Sequence, residues 1–250
     1  MRVLLAAVCC AKGDVEANLA AHRRILADGA AAGCDLVVFP EMSLTGSVDP
    51  AVRPERLVAL DGPAVRALAS ASADAGAGVC FGVAESSRDG TPYITQVVAA
   101  GGRVTGIQRK RHLGEGEESF TAATESAVFE CAGVSFGVAI CAEAGFDAPF
   151  DAAAKAGARL VLFPAAPGLY GRRSGLASWR SGFSWWEGSS LGDACRHARR
   201  LGLWIALAGQ AGVTEDEDFP GLAALVSPGG TVTDRLPDWH AGTLTVDIPL

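Results

Sequence analysis

No stretch of the 250-residue chain reaches the roughly 18–20 consecutive apolar residues a membrane-spanning helix requires, so a membrane partner is not expected. No basic stripe is present either. Lysine and arginine number 21 against 28 acidic residues, a formal net charge of −7, and an acidic chain of this kind makes a poor nucleic-acid binder. The densest basic run, RHARR at 196–200, reads as one solvated helix face. No C-x-x-C pair occurs among the seven cysteines (9, 10, 34, 80, 131, 141 and 195), which argues against a zinc ribbon or a redox dithiol. No other metal constellation is visible, and no cofactor is expected. Scattered thiols in apolar runs point to a reduced, cytoplasmic protein. The opening MRVLLAAVCCAKGD lacks a small-x-small cleavage site, and its apolar part is short, so it reads as a first core strand. Linkers and low-complexity tracts are absent as well, which leaves residues 1–250 as a single domain.

What is present is a regular alternation. Strands are expected at 2–9, 35–39, 78–84, 93–100, 103–109, 134–140, 159–163, 203–209, 222–226, 231–235 and 243–247. Helices are expected at 14–32, 62–76, 147–157 and 188–201, the first capped by Asp14 and ended by Gly33, the second opened by Pro63. An internal repeat runs through the pattern. AAAGCDLVVFPE (30–41) resembles AAKAGARLVLFPA (153–165), GVAE (82–85) resembles GVTE (212–215), and the hairpin AAGGRVTG resembles SPGGTVTD. Two halves built alike imply an α/β fold of two similar sheets packed face to face with helices outside.

The repeat breaks where chemistry could sit. One copy ends Phe39-Pro40-Glu41 and the other Phe163-Pro164-Ala165, so a carboxylate closes only one of two equivalent strands. Glu41 reads either as a solvated loop residue or as a general base raised by its apolar strand end. GVAICAEAG (137–145) ends a strand on Cys141, with small residues beyond it. Cys141 is a core hydrophobe or a nucleophile, its thiol lowered by the backbone N–H groups of the following turn. Lys110, in RKRHLGEGEESF, is an exposed loop cation or a fixed charge beside the other two.

Glu41 in DLVVFPE, Lys110 in KRHL and Cys141 in VAICAE, in that order, resemble the nitrilase superfamily of carbon–nitrogen hydrolases. The resemblance covers nearly the whole chain and implies a four-layer α-β-β-α sandwich with two mixed β-sheets. It implies that Cys141 attacks a carbon bonded to nitrogen, that Glu41 moves the proton, and that Lys110 and the backbone N–H of Ala142 hold the oxyanion. A second glutamate is implied after the lysine; Glu117 is the candidate, with Glu118 beside it. The implied activity is cleavage of a small linear amide or N-carbamoyl compound through a thioester, by a homodimer or larger homo-oligomer. The alternatives are a nitrile hydrolase, a binding protein of the same fold without turnover, and a thiol enzyme with His112 paired to Cys141. The residues flanking the cysteine depart from the family's usual bulky ones, here Ala142, Ala144 and Gly145, and leave the substrate open. GLYGRRSGLASWRSGFSWWEG (168–188) is expected to be a surface loop or a pocket wall. In the second case Trp185 or Trp186 lines the pocket and Arg172 or Arg173 pairs with a substrate carboxylate. His112 is expected to orient its loop. His22, His197 and His240 read as surface residues, and TEDEDFPG (214–221) as a solvated acidic loop.

Overall fold

A computed structural model gives the fold and describes residues 1–249. In the first half, β1 (Arg2–Ala7) leads into α1 (Val15–Ala31), then β2 (Leu36–Val38), α2 (Pro63–Ala75), β3 (Gly78–Ser86), β4 (Pro92–Ala100) and β5 (Arg103–Arg109). An edge strand, β6 (Val128–Cys131), opens the second half. It is followed by β7 (Val134–Val138), α3 (Asp147–Lys155), β8 (Leu160–Ala165), α4 (Gly175–Leu201) and β9 (Trp204–Gly209). A short ribbon, β10 (Ala211–Val213) and β11 (Asp218–Pro220), precedes β12 (Ala223–Val226), β13 (Val232–Arg235) and β14 (Gly242–Asp247).

The two six-stranded sheets run β14-β1-β2-β3-β4-β5 and β13-β12-β9-β8-β7-β6. Each is mixed: β1, β2 and β3 are parallel, as are β7, β8 and β9, and the rest join antiparallel. The order within one sheet reproduces the order within the other, as the repeat requires. One repeat match does not survive. Leu36 pairs with Gly78 and Leu160 with Trp204, so Gly82 corresponds to Ala208 rather than to Gly212. GVAE lies inside β3, whereas GVTE begins beyond the end of β9, and the likeness of the two strings is accidental.

Period-two alternation explains the layers. Val3, Leu5, Leu36 and Val38 point to the same core as Phe136, Val138, Leu160 and Leu162, between the sheets. Leu4, Ala6, Val37 and Phe39 face the other way, onto Ile25, Leu26, Val65 and Leu68 of α1 and α2. Val161, Phe163, Ile205 and Leu207 do the same toward Phe150 of α3 and Phe183 and Trp186 of α4. Both faces of each sheet are therefore buried, which gives the α-β-β-α sandwich. Asp14 caps α1 through Ala17 N, and Pro63 stands in the first turn of α2.

Helix α4 begins at Gly175, thirteen residues before the expected start. Its Gly, Ser and Trp content argues for a loop on propensity alone, but Phe183 and Trp186 are buried against the second sheet and Gly182 packs closely on Leu169. Tertiary burial outweighs propensity here. The acidic loop also differs from expectation, since Asp218, Phe219 and Pro220 are buried in β11. His22 and His197 are interior rather than superficial. His22 stacks on Phe39 and bonds Ser43, and burial lowers it to about 4; His197 stacks on Phe150 and bonds Ala144 O.

Candidate active site

Three strand ends deliver the candidate residues to one place. Glu41 follows β2, Lys110 follows β5, and Cys141 lies three residues past β7. Lys110 Nζ donates to Glu41 Oε1 at 2.7 Å and to Glu117 Oε1 at 2.6 Å. Glu41 and Lys110 are completely buried. Glu41 Oε2 accepts the backbone N–H of Ala166 at 3.0 Å, and Glu41 and Cys141 are near enough to influence each other's ionisation. Ala166 directly follows Ala165, the counterpart of Glu41 in the second copy. The copy without the carboxylate thus supplies a backbone donor to the copy that has it.

The turns that carry these groups are held in uncommon conformations. Met42 and Cys141 have φ of +47° and +46°, in the left-handed region that costs a non-glycine residue of order 1–3 kcal/mol. The turn after β2 lies hard against β3. A Cβ at Gly82 would come within 2.2 Å of Met42 N and 2.7 Å of the Glu41 carbonyl carbon. Gly82→Ala is therefore expected to cost at least about 1–3 kcal/mol from overpacking. It should also lower turnover more than tenfold, because displacing a catalytic group by about 1 Å costs on the order of 10²-fold. Urea midpoints and ammonia release test this together; wild-type values for both would show that the turn has room.

Glu143, the acidic residue two places after Cys141, receives no role from the sequence but a central place in the structure. It is fully buried and accepts from Arg111 N at 2.6 Å, Arg111 Nε at 2.9 Å, Arg111 Nη2 at 2.8 Å and Ile140 N at 2.8 Å. One carboxylate thereby ties the lysine loop to the cysteine turn. The signal was a charged residue inside the apolar run AICAEAG, next to a KRH segment able to neutralise it.

The electrostatics reverse one expectation. Desolvation is the largest influence on Cys141 and raises its thiol well above the ordinary value. Glu41 and Glu117 push in the same direction, while Lys110 and the Ala166 N–H pull against them. The resting group is therefore a thiol, not a thiolate stabilised by the turn. Burial likewise raises Glu41, with Lys110 opposing and Glu117 assisting. Burial disfavours the Lys110 ammonium, but Glu41, Cys141 and Glu117 outweigh it and keep the charge in place.

Cys141, Ala142 and Glu117 open onto a cavity of about 670 Å³. Trp185 and Trp186 line its wall. Three expected lining residues are elsewhere. Arg172 is exposed and outside the cavity, because the backbone of its loop turns it to the surface. Arg173 donates to Leu169 O through its guanidinium and to Asp218 through its backbone N–H. Glu118 is exposed and accepts Gly116 N, whereas Glu117 takes the position on Lys110 and accepts Gly114 N at 2.6 Å. His112 stacks on Phe146 at 4.1 Å and faces Glu143; it makes no hydrogen bond to Cys141, so a Cys-His pair is not formed. A second cleft of about 700 Å³ opens beside Glu85 and Arg109 and contains no cysteine. Among the described residues no group of His, Cys, Asp and Glu has metal-binding geometry, and no helix is long and apolar enough to cross a membrane.

This arrangement on this fold defines a class. The sequence model of the carbon-nitrogen hydrolase family matches residues 4–250, and the chain belongs to that family. Among curated relatives, a hydrolase in the pqqF 5′ region of Pseudomonas protegens is 32% identical over 158 residues, 61% of this chain and 55% of that protein. A formamidase of Bradyrhizobium sp. is 41% identical over 80 residues, 31% of this chain and 23% of that protein. The matched region thus spans about half or less of these relatives' own lengths. A cysteine-to-alanine variant of an amidase from Nesterenkonia sp. AN1 superposes with a TM-score of 0.84 at 24% identity, covering 100% of this chain and 90% of that chain. A glutamate-to-glutamine variant of that amidase, showing Michael addition of acrylamide at its active-site cysteine, superposes with a TM-score of 0.85 at 24% identity, covering 100% and 93%.

Proposed function

We propose that the protein is a thiol-dependent hydrolase of a non-peptide C–N bond in a small linear amide or N-carbamoyl compound. The observation that carries this reading is the buried Glu41–Lys110–Glu117 network beside Cys141 at a cavity wall. The formamidase relatives and the acrylamide adduct of the Nesterenkonia amidase support a small amide as substrate.

In this mechanism the sulfur of Cys141 attacks the carbonyl carbon while Glu41 takes the thiol proton. The carbonyl π pair moves onto oxygen. Lys110 has three N–H donors and spends two on Glu41 and Glu117, which leaves the third for that oxyanion, together with the Ala142 N–H. The C–N bond then breaks, and Glu41 returns its proton to the departing amine. Water next gives a proton to Glu41 and attacks the thioester. The second tetrahedral intermediate releases the acid, and the sulfur recovers its proton from Glu41. Glu117 keeps the lysine aimed.

A raised thiol suits this scheme, because transfer to Glu41 is concerted with attack and needs no standing thiolate. The carboxylate of Glu41 is the active form, so activity is lost as pH falls through its folded-state value. Burial places that value above the ordinary carboxylate range near about 4.3. The acid limb of kcat/KM should therefore show one proton with a midpoint above that range. Ammonia release from a panel of amides, nitriles and carbamoyl compounds, followed against pH, tests both points. No hydrolysis of any member, or an acid limb unchanged in a Glu41→Gln variant that still turns over, would refute the reading.

A further inference from the structure

The sequence suggested that an arginine would meet a substrate carboxylate, and the structure carries both arginines away from the cavity. What lines it instead is mostly acidic: Asp49, Glu115, Glu117, Asp193 and Glu217, with Lys12 the one basic lining residue among the described residues and Lys110 buried behind Glu117. Lys12 is already paired with Asp216 at 2.7 Å, Glu117 with Lys110 and Asp193 with Arg196. Asp49, Glu115 and Glu217 have no cation within salt-bridge distance among the described residues.

Glu217 is built in rather than mobile. Its Oε1 accepts Tyr170 N at 3.2 Å, and a Cβ at Gly168 would overlap its carboxylate. The segment that holds it also carries Ala166, the donor to Glu41. Tyr170 and Trp185 form an edge-on pair on the wall with ring centroids 6.2 Å apart, and both remain substantially exposed, at 73% and 48%. Aromatic faces beside uncompensated carboxylates attract an ammonium group and do nothing for a carboxylate. A separate feature points to a ligand as well. Trp186, on the same wall and only 7% exposed, has an indole N–H with no partner in the protein, a donor left for an acceptor on a bound molecule.

We propose that the substrate is an amide or carbamoyl compound bearing a cationic amine away from the scissile bond, and that the cavity rejects carboxylate-bearing amides. This rests on the hydrolase reading above and names its substrate class. The ammonium lies among Asp49, Glu115 and Glu217, and the amide carbonyl lies at Cys141.

Three probes of matched length test it: δ-aminovaleramide, valeramide and glutaramate. The cationic amide should exceed the anionic one at least about 30-fold in kcat/KM at low salt, with the neutral amide between them. The ratio should shrink as salt screens the lining charges. Glu217→Gln, and separately Asp49→Asn, should each narrow the cationic-to-anionic ratio about threefold or more. Calorimetric binding of the same probes to Cys141→Ala supplies a readout independent of turnover. Equal kcat/KM values, a preference for glutaramate, or a ratio untouched by both substitutions would overturn the proposal. Cationic selectivity in binding without hydrolysis of any probe would uphold the ammonium site, overturn its role in substrate choice and count against the hydrolase reading.

Discussion

Cys141→Ser should lose about 10⁴-fold or more in kcat while keeping the wild-type fold and melting curve. The swap exchanges sulfur for a smaller oxygen with almost no change in shape, so the strained turn at φ +46° has no new reason to move. The chemistry changes far more. A hydroxyl is a much weaker acid than a thiol, and the surroundings that already raise Cys141, desolvation together with Glu41 and Glu117, would raise a hydroxyl too. Glu41 then faces a proton it cannot remove at a useful rate. Ammonia release and circular dichroism check the two halves of this expectation, and activity within tenfold of wild type would mean that sulfur is not the nucleophile.

Lys110→Met should be the most damaging substitution for stability as well as turnover. Glu41 and Glu117 would remain on either side of a buried site without the ammonium that joins them. Removing one partner of a buried ion network costs about 3–5 kcal/mol, and loss of an oxyanion donor lowers kcat a further 10²–10³-fold or so. The stability cost carries a pH signature. The folded-state value of Glu41 is already above its unfolded one, and losing Lys110 raises it further. The stability linked to such a group is fully present below the unfolded carboxylate value and is lost as pH rises through the folded one. The deficit of the variant relative to wild type should therefore be smallest in acid and grow toward neutrality. Differential unfolding in urea from acid to neutral pH measures it; a deficit independent of pH would mean that the two carboxylates are not coupled to the lysine.

Much of this was readable in the chain because the repeat is real. LVVFPE and LVLFPA begin on β2 and β8 in matching places of the two sheets, and that correspondence implies two packed sheets. Glu41 stood out because its counterpart is Ala165. What could not be read was sign and direction. Whether Arg172 points into the cavity depends on a loop whose path is fixed by long-range bonds, Leu169 N to Asp218 O and Arg173 N to Asp218. Whether the Cys141 thiol is raised or lowered depends on how many carboxylates lie around one lysine, and only the folded chain brings Glu117 and Glu41 to the same ammonium. The early start of α4 was hidden for a related reason: helix-poor residues there are held by Phe183 and Trp186 against the second sheet.

The central claim is that Cys141 becomes acylated during turnover. Rapid quench of the wild-type protein with a small amide, followed by intact-mass and peptide-level spectrometry, tests it most directly. The expected result is a mass gain equal to one acyl group, confined to the peptide containing Cys141 and absent from Cys141→Ser. Sustained amide hydrolysis with Cys141 never modified, or an acyl group carried on another residue, would contradict it.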